Sequence, residues 1–345
     1  MQTDWESLID VARLKTWMDG QGLFDGPLED IRPLSGGTQN VLLSFSRAGR
    51  RFVLRRPPAN PRPQSNETMR REAQILRALS HTTVPHPRLV ADCRDENILG
   101  VAFYLMEPID GFNPSEGLPP CYRNSSTFRH RMGIALIDAI ATLGRVDFRT
   151  VGLDGFGRTE NFLTRQVNRW GQQLERYREY RAWAGPNSLP DVSRVAKWLT
   201  DNCPRSFQPG IIHGDFHLAN VLINQSAPLV MAIVDWELAT LGDPLLDLGW
   251  LLATWPDSDG SGGVFDIQPW SGFPTPSELI HRYAQNTTRD MSAIAWYEVL
   301  ACYKLGILQE GTMARAADGL APAAVGERLH KMAVALLERA LSKIG

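Results

Sequence analysis

Three residues delivered by two apolar runs could carry one specific chemistry: Asp215, Asn220 and Asp235. The first run is Ile211-Ile212-His213-Gly214-Asp215-Phe216-His217-Leu218-Ala219-Asn220-Val221-Leu222-Ile223, the second Met231-Ala232-Ile233-Val234-Asp235-Trp236-Glu237. β-Branched stretches of this kind form buried strands, and each of these leaves a polar group at its end. A carboxylate so placed can accept a proton from a hydroxyl. A carboxamide and a second carboxylate offer hard oxygen ligands to Mg²⁺ beside a nucleotide. The set suits phosphoryl transfer. Two other readings use the same residues: turn chemistry alone, and a transition-metal site of a hydrolase built from His213, Asp215, His217 and Asp235. The metal reading leaves Asn220 without a purpose.

The elements that must position these groups follow from periodicity. Residues 4–19 carry apolar positions at helical spacing and stop at Gly20. Short strand patterns occupy Asp30–Leu34, Asn40–Ser46 and Arg51–Arg55, then a helix covers Glu67–Leu79, and two more strands cover Arg88–Cys93 and Val101–Met106. Together they predict a five-stranded antiparallel sheet carrying one helix. Glu107-Pro108-Ile109-Asp110-Gly111 connects it to a mostly helical remainder, over about 127–144, 160–184, 191–202, 245–254, 277–286, 292–312 and 324–343, interrupted by the two apolar runs. The expected division is 1–107 and 108–345.

Composition narrows the class. With 345 residues, 43% apolar and 21% charged, the chain has the make-up of a globular protein of one large or two closely packed domains. A net charge of -2 argues against a nucleic-acid partner. The four cysteines (Cys93, Cys121, Cys203, Cys302) form no C-x-x-C pair, and no basic-then-apolar leader or membrane-length apolar run is visible. The expectation is a soluble cytoplasmic protein without a membrane partner, acting on a small molecule.

Between the first two strands, Ser35-Gly36-Gly37-Thr38-Gln39 supplies two glycines whose backbone N–H groups could approach a polyphosphate closely. A plain hairpin turn is the alternative. The aromatics Trp170, Tyr177, Trp183, Trp250, Trp255, Trp296 and Tyr303 fall mostly at helical spacing, which makes core packing their default role.

The strings H-G-D-F-H-L-A-N and V-D-W-E-L-A-T-L-G-D-P-L-L-D-L-G resemble the aminoglycoside phosphotransferase and choline kinase superfamily, a branch of the protein-kinase-like fold. Within it, the chain resembles the kinase-like domains associated with acyl-CoA dehydrogenases, over nearly its whole length. The resemblance implies an α+β, bilobal fold, with a small antiparallel β-sheet lobe binding nucleotide and a larger helical lobe holding the acceptor. It implies ATP and Mg²⁺, with Asp215 as catalytic base and Asn220 and Asp235 as magnesium ligands. Asp247 would brace the catalytic loop, unless it merely faces a helix dipole, and His213 would support that loop structurally. His217 receives no role, nor does the pair Arg165-Gln166.

By the same resemblance Gly36 and Gly37 contact phosphate, Arg55 stands where kinases carry the nucleotide lysine, and Glu72 is its ion-pair partner. Glu107 and Ile109 would read adenine through their main chain, since Pro108 cannot donate. Gln39 and Arg55 depart from the usual residues. The implied reaction is transfer of the γ-phosphate to a substrate hydroxyl, with a hydroxy acid or hydroxyacyl-CoA as acceptor. The alternatives are an aminoglycoside acceptor and a pseudokinase or nucleotide-binding interaction module.

Overall fold

Period-two alternation sorts the side chains of the N-terminal strands between two faces. The structure, a computed structural model, describes residues 6, 8–34, 40–257 and 259–345. Helix α1 (Val11–Gly20) begins after Asp10, whose carboxylate accepts the Arg13 N–H at 3.0 Å. This cap sets the start at Val11, where periodicity alone placed it at residue 4. Strands β1 (Glu29–Pro33), β2 (Val41–Arg47) and β3 (Arg50–Arg56) precede helix α2 (Ser65–Leu79), and β4 (Leu89–Cys93) and β5 (Phe103–Met106) follow it. The sheet is antiparallel in the order β1-β2-β3-β5-β4, as the sequence predicts.

Leu43, Phe45, Phe52, Leu54, Phe103 and Leu105 pack with Leu14 and Met18 of α1. Their strand neighbours Leu42, Ser44, Val53, Arg55 and Tyr104 face the other way and line a cleft. Arg55 lies opposite both Leu42 and Tyr104 in the register. A one-residue slip would drive Arg55 into the α1 core, so apolar burial fixes its direction. On α2, Met69, Glu72, Leu76 and Leu79 share one buried stripe at helical spacing. Glu72 therefore faces inward among apolar groups.

The remainder contains α3 (Pro120–Arg123), α4 (Ser126–Arg145), α5 (Phe162–Arg176) and α6 (Val192–Asp201). Then come β6 (Gly210–Ile212), β7 (Val221–Ile223), β8 (Val230–Ile233) and β9 (Thr240–Gly242). Helices α7 (Leu245–Thr254), α8 (Pro276–Gln285), α9 (Ile294–Ala317) and α10 (Ala323–Ile344) complete the chain. Strand β6 pairs with β9 and β7 with β8, both antiparallel. Periodicity over 160–184 suggests a longer α5. Asn161, at φ 51°, delays its start to Phe162, and a 3₁₀ turn over Tyr177–Glu179 ends it.

Backbone and side-chain contacts fix the connecting segment and helix α2 against the helical part. Phe112 and Ile223 exchange N–H···O bonds of 2.8 and 2.9 Å, and Arg71 Nη2 donates to the Phe156 and Ala239 carbonyls at 2.9 and 3.2 Å. The second contact anchors α2, and with it Glu72. Among the described residues, no helix is long and apolar enough to cross a membrane.

Candidate active site

The segment from His213 to Asn220 is a loop whose backbone is held by one buried carboxylate. Asp247, on the first turn of α7, accepts the N–H groups of His213 at 2.7 Å and Gly214 at 2.8 Å. Burial pushes the Asp247 pKa up, although the neighbouring His213 and the two N–H donors draw it down. His213 is fully buried. Its Nε2–H donates to the Val234 carbonyl at 2.9 Å, and its Nδ1 accepts the Asp215 N–H at 3.3 Å. With both ring nitrogens on backbone groups, His213 is a brace. Among the described residues, no group of three or more His, Cys, Asp or Glu is placed to hold a metal ion, which removes the support for a transition-metal site. Gly214 sits at φ 88°, and a Cβ there would lie 2.6 Å from the Leu238 carbonyl oxygen, so the turn demands glycine.

The loop presents Asp215 in a web of donors. Trp250 Nε1 donates to Oδ1 at 2.9 Å, Asn220 Nδ2 donates to Oδ2 at 3.0 Å, and His217 Nε2 stands 3.3 Å from Oδ1. Burial works to raise the Asp215 pKa. The His217 hydrogen bond outweighs it, the nearby Lys304 adds to the fall, and the carboxyl is held well below the usual range. Asp215 is therefore an anion.

The β7–β8 hairpin brings Asn220 and Asp235 together. Val221 lies opposite Ile233, and the Val234 N–H donates to the Asn220 carbonyl at 2.9 Å. Asp235 follows at φ 65°, ψ 65°, a left-handed conformation that is costly for a residue other than glycine and is typical of functional positions. Asn220 spends its amide nitrogen on Asp215, and Asp235 spends Oδ1 on Arg55 Nη2 at 2.7 Å. The Asn220 side-chain oxygen and Asp235 Oδ2 have no hydrogen-bond partner among the described residues. Two free hard oxygens on one cleft wall fit a divalent cation such as Mg²⁺.

Arg55 links the two parts of the molecule. Its Nε lies 2.9 Å from Glu72 Oε2, while Nη2 reaches Asp235. Tyr104 OH donates to the same Glu72 oxygen at 2.9 Å. Burial pushes the Glu72 carboxyl up to about 7 against the pull of Arg55, with Asp235 adding to the rise. Arg55 pays a desolvation cost, yet Glu72 and Asp235 keep it firmly charged. A cleft of about 620 Å³ runs past this cluster. Glu107 and Ile109 line it, with Leu42, Val53, Met106 and Leu222 giving apolar walls. The Glu107 N–H is taken by the Arg88 carbonyl at 2.9 Å. The expected phosphate contacts Gly36 and Gly37 lie outside the described residues.

Three residues near Asp215 escaped the sequence reading. Trp250, assigned to core packing, bonds the Asp215 carboxylate. Lys304, on α9, donates to the Gly214 carbonyl at 3.3 Å and sits 4.3 Å from the Trp250 ring centroid. His217, given no role by the sequence, contacts Asp215 and has its ring 4.9 Å from that of Phe265. Gly249 makes the arrangement possible, because a Cβ there would lie 2.6 Å from the Tyr297 carbonyl oxygen. Helices α7 and α9 thus approach closely enough to stack Trp250 under Lys304. Of the Arg165-Gln166 pair, Arg165 bonds the Arg158 carbonyl at 2.8 Å, a structural role, and Gln166 lines a cavity beside Lys304.

Comparison with known proteins identifies the family and the fold. The chain is 29% identical over 320 residues to acyl-CoA dehydrogenase family member 11 of Gallus gallus, covering 90% of this chain and 40% of that protein. It thus spans about two fifths of the length of that curated relative. A crystal structure of a candidate aminoglycoside phosphotransferase from Ralstonia eutropha JMP134 superimposes with a TM-score of 0.79 at 28% identity, over 96% of this chain and 98% of that one. A thermostable variant of aminoglycoside phosphotransferase APH(4)-Ia, in complex with AMP-PNP and hygromycin B, shares the fold at a TM-score of 0.58 and 14% identity, over 95% and 98% of the two chains. The profile of the Phosphotransferase enzyme family matches residues 30–297. The chain belongs to the APH family of phosphotransferases, with the α+β, protein-kinase-like fold.

Proposed function

We propose that this chain is an ATP- and Mg²⁺-dependent small-molecule kinase that transfers the γ-phosphate to a substrate hydroxyl, with a hydroxy acid or hydroxyacyl-CoA as acceptor. One observation carries the reading: an anionic Asp215, held by Trp250 and Asn220, stands beside a hairpin that leaves the Asn220 side-chain oxygen and Asp235 Oδ2 without a hydrogen-bond partner among the described residues. Residues 1–107 clamp the nucleotide and residues 108–345 supply the acceptor side. The likeness to an acyl-CoA dehydrogenase family member supports an acyl acceptor.

In this reading Asp215 accepts a hydrogen bond from the acceptor hydroxyl and points its oxygen at the γ-phosphorus. A strongly acidic carboxylate is a weak base, so the proton passes to Asp215 late, as the new P–O bond forms and the bond to the β–γ bridging oxygen breaks. Asn220 and Asp235 would hold Mg²⁺, which when bound neutralises charge on the β- and γ-phosphates. Arg55, fixed by Glu72, positions the phosphates from the opposite wall. Gly36 and Gly37 contribute backbone donors, and Glu107 and Ile109 seat the base against the apolar walls.

A panel of hydroxy acids, hydroxyacyl-CoAs and aminoglycosides, assayed for ADP release with and without Mg²⁺, tests the reading. Acceptor-dependent release with at least one acyl compound, lost on chelation of Mg²⁺, is expected. Nucleotide binding without acceptor-dependent turnover on any of them would instead identify an interaction module.

A further inference from the structure

Against the 213–220 loop lies a smaller cavity of about 180 Å³ that the nucleotide reading leaves unused. Helix α5 contributes Gln166, Arg169 and Trp170, helix α7 contributes Trp250, and helix α9 contributes Lys304. Gly214 also lines it, which puts the cavity directly against the loop that carries Asp215. Apolar residues such as Leu300 and Leu308 complete the wall, and no Asp or Glu is among the lining residues. Its polar equipment consists mainly of donors.

Two of those donors are incompletely used. Lys304 Nζ donates to the Gly214 carbonyl and lies 4.3 and 5.4 Å from the Trp250 and Trp170 ring centroids. Among the described residues, no carboxylate oxygen lies within ion-pair distance of it, and Asp215 and Asp247 act on it only at longer range. An ammonium has three N–H donors, so further acceptors have room to bind. Trp170 is nine-tenths buried, and its indole N–H has no hydrogen-bond partner among the described residues. A half-buried cation without an ion-pair partner among the described residues and a buried orphan N–H each carry a free-energy cost, and an oxygen anion placed between them would relieve both.

We propose that this cavity is the carboxylate subsite of the acceptor, in which Lys304 Nζ and Trp170 Nε1 donate to the acid's oxygens while its hydroxyl is presented to Asp215. The inference rests on the reading of Asp215 as the group that receives the acceptor hydroxyl. It selects a free, short-chain hydroxy acid over a coenzyme A thioester, whose acyl carbon bears no charge. It also selects against a polycationic aminoglycoside, which Lys304 and Arg169 would repel.

Isothermal titration of the full chain with 3-hydroxybutyrate, its uncharged amide and inorganic phosphate provides the test. The wild type should bind the acid at least tenfold more tightly than the amide. Lys304→Met should weaken the acid at least tenfold and leave the amide unchanged, and Trp170→Phe should weaken the acid severalfold. Lys304→Arg, which keeps the charge, should retain acid binding within a few fold, and this separates lost recognition from lost folding. Equal affinity for acid and amide, undiminished acid binding by Lys304→Met, or preference for inorganic phosphate over the acid would overturn the assignment. The readout is binding. A wild type that binds the acid but transfers no phosphoryl group would refute the kinase reading and leave the subsite standing.

Discussion

Trp250 Nε1 donates a 2.9 Å hydrogen bond to Asp215 Oδ1, so a helix 35 residues downstream aims the carboxylate proposed to receive the acceptor hydroxyl. A hydrogen bond to a charged group is worth about 1.5–3 kcal/mol. Replacing Trp250 by Phe keeps the ring under Lys304 and removes the donor. The expected result is a fall in kcat of roughly 10- to 100-fold with little change in the ATP KM. Steady-state kinetics of that variant check it, and an unchanged kcat would mean that Asn220 alone orients the carboxylate.

The Arg55–Glu72–Asp235 cluster predicts a different kinetic signature. Removing Arg55 leaves Glu72 buried beside Tyr104 without its cation, a loss of roughly 3–5 kcal/mol in comparable buried pairs. Arg55→Ala should therefore lower the melting temperature as well as raise the ATP KM at least tenfold. Arg55→Lys should recover part of both, because a point charge reaches one carboxylate well but cannot fork between two. If Arg55→Ala bound ATP as tightly as the wild type, the clamp role would fall.

Lys304 makes a stability prediction whose sign is fixed by linkage. Burial lowers its pKa from 10.5 to about 8, against the opposing pull of Asp215 and Asp247, with Arg169 adding to the fall. Between those values the unfolded chain binds more protons than the folded one, so stability rises with pH across that window. Below about pH 8 the charged ammonium costs the fold on the order of 3 kcal/mol. Lys304→Met should be more stable than the wild type at pH 7, and the gap should narrow as pH climbs toward 10. Denaturant melts at several pH values measure this directly.

Gly214 is predicted to be irreplaceable. Gly214→Ala would force a Cβ against the Leu238 carbonyl in a left-handed backbone, a strain of roughly 1–3 kcal/mol. Relief by tilting the 213–220 loop would move Asp215 off its donors. Activity should drop far more than stability, and comparing kcat with the urea midpoint separates the two.

Much of this site is legible in the chain because its parts are local. Asp215 and Asn220 share one loop, and Asp235 ends the hairpin strand that pairs beside Asn220, so strand chemistry alone places all three. Glu72 is legible because its helical spacing sets it on the same stripe as Met69 and Leu76. Trp250 and Lys304 are not legible. Helical periodicity says which face is buried, but it does not say that α7 and α9 meet at Gly249, nor that the buried face there contains a carboxylate. His213 and Asp247 fall between these cases: their residue types suggest a brace, and only the bonds to Val234 and to the 213 and 214 amides distinguish it from catalysis or dipole contact. The start of α1 differs from the apolar pattern because Asp10 caps the helix at Val11, with Leu8 and Ile9 ahead of it.

The central claim is that Asp215 receives the acceptor hydroxyl during phosphoryl transfer from ATP. Transfer of label from [γ-³²P]ATP to an accepted hydroxy compound, in the presence of Mg²⁺, should proceed with the wild type. With Asp215→Ala it should fall by at least a thousandfold, while circular dichroism and nucleotide affinity remain those of the wild type. Label transfer by Asp215→Ala at more than a few per cent of the wild-type rate would contradict the account.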